Sequence, residues 1–415
     1  MKEKVIEIIK NNDIDELQNF IQNNQTEIRC EKGLLEVAFQ CRNILAIKLI
    51  CNTLINSRNV TEMLSELILL STKYKKLDLL KYIIKNFLFD NTFIIKLLSI
   101  YKNRETLSEY VLNSIIIKEK SKFDWDLIDE EGYSSLLIAC KYNDEIFAKY
   151  LIDQGANVNK VDKRGNTPLY FSCKQSNETM VKYLVDHGAD VNISNGYGYR
   201  PLIISCIKNN TSIAKYLIEK DAEVNKNDNY GNTPLIFACK NENEVIVSCL
   251  LEKGADVNKV DGYDDSPLLL ACKKGNETII KNLIAKGADV NKGNKYGHTP
   301  LIIACRNDNF NLITLLVENH VDINKADING DTPLITSCMI QSESIIEYLI
   351  EHGADINKAD KNGNTPLTYA YKNKNEAIIK LLINHGADVN RINHCHEIKS
   401  KYSNGLEELL TFIKK

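Results

Sequence analysis

The chain has 415 residues, with 52 lysines and arginines against 55 aspartates and glutamates, a formal net charge of −3. Charges so balanced and so mixed argue against nucleic acid as a partner, and no apolar run approaches the roughly 20 residues of a membrane span. The N-terminus lacks the apolar segment of a signal peptide. We therefore expect a soluble protein without membrane insertion, located in the cytoplasm or, as the alternative, in the nucleus.

The first 125 residues contain no proline and one glycine, Gly33, and their apolar spacing predicts short amphipathic helices in pairs. The predicted pairs are 2–10 with 14–22, 34–41 with 44–53, 61–72 with 76–87, and 92–102 with 105–117. These pairs are interpreted as degenerate members of the repeat array that follows; the alternative is a separate helical domain. The single tryptophan, Trp125, falls at the junction and is expected to pack there.

From residue 126 onward the chain repeats every 33 residues. All seven prolines keep this spacing, at Pro168, Pro201, Pro234, Pro267, Pro300, Pro333 and Pro366. Eight copies align, and copies 1 to 8 begin at Asp129, Asp162, Asn195, Asp228, Asp261, Asn294, Asp327 and Asp360. Because proline fixes φ and has no backbone N–H, its period marks one small structural unit copied in series.

Copy 2 shows how each unit is expected to fold. Gly165 lies in a polar turn, where a positive φ is easily reached. Thr167 and Pro168 then supply an N-cap and a first helical residue. The apolar spacing predicts a short first helix followed by a second over 178–186, and Gly188 ends the second as a left-handed C-cap. Each copy is therefore a turn followed by two short helices.

Two motifs recur in register. Thr-Pro-Leu occurs at 167–169, 233–235, 299–301, 332–334 and 365–367, and Gly-Ala-Asp-Val-Asn recurs as well, for example at 188–192 and 254–258. These motifs and their period resemble the ankyrin repeat family. The resemblance covers residues 126–391 and implies an all-α solenoid, elongated and curved, in which each repeat has a β-turn finger and an antiparallel helix pair. It also implies a protein-binding function.

Several positions depart from this pattern. The histidine of the family motif is replaced in every copy, by Leu137, Tyr170, Ile203, Ile236, Leu269, Ile302, Ile335 and Thr368, which removes a polar tether. Asp264 replaces a turn glycine, and Asp221 and His320 replace the glycine that ends the second helix. Each lost glycine should cost about 1 kcal/mol or less. The copies that end near 221 and 320 are therefore expected to have the lowest local stability in the array.

No catalytic, metal or cofactor site is expected. The chain contains no P-loop, nucleophile elbow, kinase loop or zinc-helix motif, so we predict that it is not an enzyme. Seven of the 12 cysteines keep the repeat period, and copies roughly 8–10 Å apart exceed the reach of a disulfide, about 7 Å. His394, Cys395 and His396 are assigned to a solvated exit loop in preference to a zinc site.

Residues 405–414 fit a helix in a C-terminal capping segment, 392–415.

Tyrosine occupies four consecutive turn tips, at Tyr197, Tyr230, Tyr263 and Tyr296. Tyr199 and His298 stand two positions further on in their copies. Exposed tyrosines are frequent binding anchors, so these residues are candidates for contacting a partner. The alternative is that duplication copied a tip residue that only packs on the next finger.

Basic residues recur at the end of the first helix in six of the eight copies, at Lys141, Lys174, Lys240, Lys273, Arg306 and Lys372. The resemblance places this position on the concave groove, where Lys240, Lys273, Lys274 and Arg306 would suit an acidic segment of a partner. The alternative is that solvated lysines complement the helix dipole.

Two functions fit these features. The first is a non-enzymatic scaffold or adaptor, monomeric, that binds a partner protein through the groove and the finger tips. In the second, residues 1–125 form a functional or regulatory domain for which the repeats are the targeting arm. A truncation to 126–415 distinguishes them, because it should aggregate if the N-terminal region is simply more of the array.

Overall fold

The computed structural model describes residues 2–11, 13–23, 125–129 and 131–394, with a few single positions between 38 and 49. By compactness the chain divides into two units, Met1–Asp190 and Val191–Lys415. The helices of copies 1 and 2 belong to the first unit and those of copies 3 to 8 to the second. Of the helices described, none is both long and apolar enough to cross a membrane.

The N-terminal segment begins with a helix pair, α1 (Lys2–Asn11) and α2 (Ile14–Asn23), which pack against each other. Val5, Ile9 and Leu17 are buried, as expected for amphipathic helices that share an apolar face. This pair confirms the first of the predicted N-terminal helix pairs. The second predicted pair, 34–41 with 44–53, is described only at positions 38, 41, 45–47 and 49 and stays a prediction. The third and fourth pairs and the helix over 405–414 lie outside the described residues.

Each of the eight copies forms two helices. The first helices are α3 (Ser135–Lys141), α5 (Pro168–Lys174), α7 (Pro201–Ile207), α9 (Pro234–Lys240), α11 (Pro267–Lys274), α13 (Pro300–Arg306), α15 (Pro333–Ile340) and α17 (Pro366–Lys372). The second helices are α4 (Glu145–Asp153), α6 (Glu178–Asp186), α8 (Thr211–Glu219), α10 (Glu244–Glu252), α12 (Glu277–Ala285), α14 (Phe310–Glu318), α16 (Glu343–Glu351) and α18 (Glu376–Asn384). A 3₁₀ helix, Val389–His394, follows α18. The predicted boundaries of the helices in copy 2 are confirmed.

The first helices begin where the Thr-Pro pairs predict. Thr167 is typical: its Oγ1 accepts a hydrogen bond from the Tyr170 N–H at 3.0 Å, and Pro168 is the first helical residue. In α17 the side chains of Thr365 and Thr368 cap each other's backbone reciprocally. Thr368 stands where the family motif has histidine, so the expectation that every copy loses a polar tether is wrong for copy 8.

The core runs along the line of first helices. Within the second unit each first helix packs against the next, from α7 to α17, and the leucine that follows each proline is buried. The seven periodic cysteines lie on first helices of the two units as buried free thiols. Burial raises the pKa of the Cys140 thiol to about 12, which leaves almost no reactive thiolate at neutral pH.

An asparagine near the end of each copy bonds to the copy that follows. The Asn258 Oδ1 accepts a hydrogen bond from the Asp289 N–H at 2.9 Å, and its Nδ2 donates to the Gly287 carbonyl at 3.1 Å. The same pair of bonds is made in the first unit by Asn159, and in the second unit by Asn225, Asn324 and Asn357. Within each unit, stacked helices and this asparagine ladder together join successive copies.

We expect hydrogen exchange to be fastest where copies 3 and 6 end. Asp221 and His320 have left-handed φ angles of 61° and 59°, a conformation that costs a residue with a Cβ roughly 1 kcal/mol. The bond from Asn192 Nδ2 to the Asp221 carbonyl is also long, 3.5 Å, against 3.0 Å and 3.1 Å where Gly254 and Gly287 take its place. Exchange measured by mass spectrometry should therefore show lower protection at Asp221 and His320; equal protection at all copy ends would contradict this.

Candidate functional site

Each copy opens with a turn whose shape is fixed by its first residue. In copy 5 the Asp261 Oδ1 accepts hydrogen bonds from the backbone N–H groups of Tyr263, at 2.9 Å, and Asp265, at 3.1 Å. The same two bonds are accepted in the other copies by Asp129, Asp162, Asn195, Asp228, Asn294, Asp327 and Asp360. A side chain that satisfies two backbone donors favours one turn conformation. The third residue of each copy, the turn tip, is therefore held on a supported backbone.

The four tip tyrosines, all in the second unit, have exposed side chains. Their exposed fractions are 48% for Tyr197, 62% for Tyr230, 59% for Tyr263 and 45% for Tyr296. The main chain bonds to the following turn, since the carbonyls of three of them accept an N–H from the next copy: Tyr197 from Asn229, Tyr263 from Lys295 and Tyr296 from Ile328. The backbone supports the array and the rings remain accessible, although binding by these rings stays a prediction.

The two flanking candidates lie beside these tips. Tyr199 is half-buried, with its ring centroid 6.3 Å from that of Tyr197. His298 accepts a hydrogen bond at Nε2 from Arg306 Nη1, at 2.8 Å. Burial and the neighbouring Arg306 charge lower the pKa of His298, so its ring is neutral near pH 7.

The four basic residues predicted to suit an acidic segment, Lys240, Lys273, Lys274 and Arg306, are ion-paired within the chain. Lys240 Nζ lies 3.0 Å from Asp261 Oδ2 and 2.9 Å from Asn232 Oδ1, and Lys273 Nζ lies 2.6 Å from Asp265 Oδ2. Two further candidate cations are paired as well, Arg306 with Asp327 at 3.4 Å and Lys274 with Glu242 at 3.7 Å. The carboxylates of Asp261, Asp265 and Asp327 are buried at the turns. Lys240, Lys273 and Arg306 therefore cover buried acidic groups of the turns.

These ion pairs reduce the positive charge that the recurring basic residues can offer to a partner. Burial disfavours the ionised form of Asp261, but the Lys240 ammonium and the N–H groups of Tyr263 and Asp265 outweigh it and lower the pKa of this carboxyl. The sequence interpretation, solvated lysines or lysines facing an acidic partner, missed the pairing. An acidic partner stays a prediction, and the structure supplies less free positive charge for it than the sequence suggested.

Two of the tip tyrosines flank an open cleft of about 480 Å³. Its lining is formed by Tyr230, Asn232, Lys240, Asp261, Gly262 and Tyr263. Tyr230 and Tyr263 are the most exposed of the four tips, and the Lys240–Asp261 ion pair lies between their copies. The cleft therefore combines exposed aromatic rings with a floor whose charges are already paired.

The histidines and cysteines that the structure describes provide no second candidate site. Three histidines bond through Nδ1 to a carbonyl in the last turn of a second helix: His187 to Tyr183, His352 to Tyr348 and His385 to Leu381. Across the described part of the chain, no three His, Cys, Asp or Glu side chains converge as metal ligands. The side chains of 394–396 lie outside it. Trp125 packs edge-on against Tyr150, with ring centroids 6.2 Å apart, in agreement with the predicted packing role.

A turn and two helices repeated every 33 residues define an all-α repeat protein of the solenoid class. The family model for ankyrin repeats (three copies) matches residues 95–195, 193–261, 260–327 and 319–393. The chain belongs to the ankyrin repeat family. A comparison with curated proteins gave no match. The first matched stretch begins 31 residues before the predicted start at 126, and the boundary at 125 stays a prediction.

Proposed function

We propose that this protein is a non-enzymatic scaffold or adaptor that holds a partner protein through the turn tips and first helices of its second unit. The proposal is carried by one observation: four consecutive copies each present an exposed tyrosine ring on a turn fixed by its own hydrogen bonds. Ankyrin repeats generally serve as protein-interaction modules, which supports the proposal at the level of the family. The monomeric state and the cytoplasmic location stay predictions.

The tip tyrosines suit binding for energetic reasons. A tyrosine buries a large ring and a hydroxyl while only two side-chain torsions become fixed, so its entropic cost on binding is low. The turns are held by Asp or Asn side chains before any partner arrives, which removes a further ordering cost. The nearby cations and the periodic thiols offer little for catalysis, since the cations are paired to carboxylates and the thiols are buried.

Replacing all four tip tyrosines by alanine should leave the fold intact and weaken partner binding more than tenfold. The fold should survive because the hydrogen bonds between the tips and the following turns are made by the main chain, which alanine keeps. The partner is first isolated by affinity purification from native cells, and its Kd is then measured with purified proteins. Val245→Ala is the matched control, since Val245 is similarly exposed (49%) but lies on a second helix. Unchanged affinity in the tyrosine variant would remove the tips from the binding surface.

A further inference from the structure

One gap between adjacent tip tyrosines is filled by the chain itself. The Lys295 ammonium lies 4.2 Å from the centre of the Tyr263 ring and 5.1 Å from the centre of the Tyr296 ring. A cation is attracted to the negative face of an aromatic ring. The protein therefore shows which kind of group fits between two of its own tip tyrosines.

The preceding gap, between Tyr230 and Tyr263, is open. Lys295 is the second residue of copy 6, whereas the second residue of copy 5 is Gly262, which has no side chain to place between the rings. This difference leaves the cleft of about 480 Å³. Gly262 is outside the left-handed region, and an added Cβ would lie 3.2 Å from the Tyr230 carbonyl oxygen, a tight contact.

The charges around this open gap favour a cation. The side chains of Tyr230 and Tyr263 line it, and an aromatic ring attracts a cation to its face. The Lys240 ammonium on the floor is already bound to Asn232 and Asp261, so the floor contributes a neutral pair. The exposed Asp264 directly follows Tyr263 and adds a negative charge to the same turn.

We propose that the Tyr230–Tyr263 cleft receives a lysine or arginine side chain of a partner protein. The inference rests on the proposed function, because it takes the tip tyrosines as the binding surface, and it adds the chemistry of the partner. The partner segment carries a basic residue that takes the place occupied by Lys295 in the next gap. The paired state of Lys240 and its neighbours favours this partner over an acidic segment.

The test is a selection of random dodecapeptides displayed on phage against the full-length protein, followed by titration of the synthetic peptides. Peptides whose binding is lost in Tyr230→Ala should contain lysine or arginine. Replacing that residue by norleucine should weaken binding about fivefold to thirtyfold, the range for a cation held on aromatic faces. Circular dichroism of the variant verifies that it is folded.

A matched pair of variants at Gly262 tests occupancy of the cleft directly. Gly262→Lys places a lysine at the position that Lys295 has in the next copy. It should weaken the binding of these peptides by a similar factor. Gly262→Ala adds only the Cβ, and it should leave their affinity within about twofold. Equal binding to the wild type and Gly262→Lys would overturn the inference.

The outcomes separate this inference from the proposed function. Peptides that depend on Tyr230 but are acidic, or carry no charge, overturn the basic partner and leave the tip tyrosines as a binding surface. A selection that returns no peptide sensitive to any of the four tyrosines overturns both. Basic peptides lost in Tyr230→Ala and in Gly262→Lys, but retained in Gly262→Ala, are the expected result.

Discussion

Replacing Asp261 by alanine should lower the free energy of unfolding of the second unit by about 2–4 kcal/mol. One oxygen of this carboxylate accepts the N–H groups of Tyr263 and Asp265, and the other lies 3.0 Å from Lys240. Alanine leaves two backbone donors of the turn without their acceptor and removes the counter-charge of Lys240. Urea denaturation followed by far-UV circular dichroism measures the change.

The asparagine variant separates the two roles of this side chain. Asn195 and Asn294 begin copies 3 and 6 and accept the same two N–H bonds, so Asp261→Asn should keep the turn and lose only the ion pair. Lys240 is about one-third exposed (35%), and such a pair contributes about 1 kcal/mol or less. If the alanine and asparagine variants lost equal stability, the turn bonds would not be the larger contribution.

The stability of Asp261→Asn and that of the wild type should depend differently on pH in the acidic range. The folded-state pKa of Asp261 is lowered, so the unfolded chain binds this proton more readily than the folded one. Its stabilising contribution is therefore complete above the unfolded pKa, about 4, and is lost as the pH falls through the folded value. Denaturation midpoints measured from pH 6 down to pH 3 should fall less steeply in Asp261→Asn than in the wild type.

Local chemistry accounts for what the sequence predicts correctly. Thr167, Pro168 and Gly188 act on their own backbones, so they mark where helices begin and end before any packing is known. The pair α1 and α2 was predictable for a similar reason, because an apolar stripe on a short helix needs a neighbour to cover it. The family match then follows from repetition of these local signals.

Features that depend on stacking could not be predicted in this way. Lys240 and Asp261 are 21 residues apart and meet only because copy 5 lies on copy 4. The break between the two helices of copy 4 holds Glu242 at a φ of 57°. Glutamate gives no signal for a left-handed position; of the eight equivalent residues Gly275 gives the clearest signal, and Asn143, Asn209 and Asp308 give a weaker one.

The cleft was missed for a different reason. The tip tyrosines are visible in the sequence because one residue type recurs at the same position of four successive copies, whereas a position that changes from copy to copy gives no such signal. Gly262 and Lys295 share a position in which no residue type prevails, and the difference between them decides which gap is open. The recurring tyrosines supply the rings, and the residue that varies between them distinguishes one gap from the next.

Replacing Asn258 by alanine should lower the free energy of unfolding by about 1–3 kcal/mol. The change removes the acceptor of the Asp289 N–H and the donor to the Gly287 carbonyl. It keeps the Asn258 carbonyl, which accepts a bond from Lys292 Nζ at 3.0 Å. The stability of a repeat array is approximately the sum of the stabilities of its repeats and of the interfaces between neighbours. The loss of stability should therefore fall on the interface between copies 4 and 5.

Two measurements locate that loss. Asn307→Ala, at an exposed residue after α13, is the control and should change stability by less than about 0.5 kcal/mol. Hydrogen exchange in Asn258→Ala should rise first at the end of copy 4 and the end of copy 5, the two segments that the asparagine joins. A uniform rise across copies 3 to 8 would instead show that the second unit opens as a whole, and that its interfaces are too strongly coupled for one rung of the asparagine ladder to act locally.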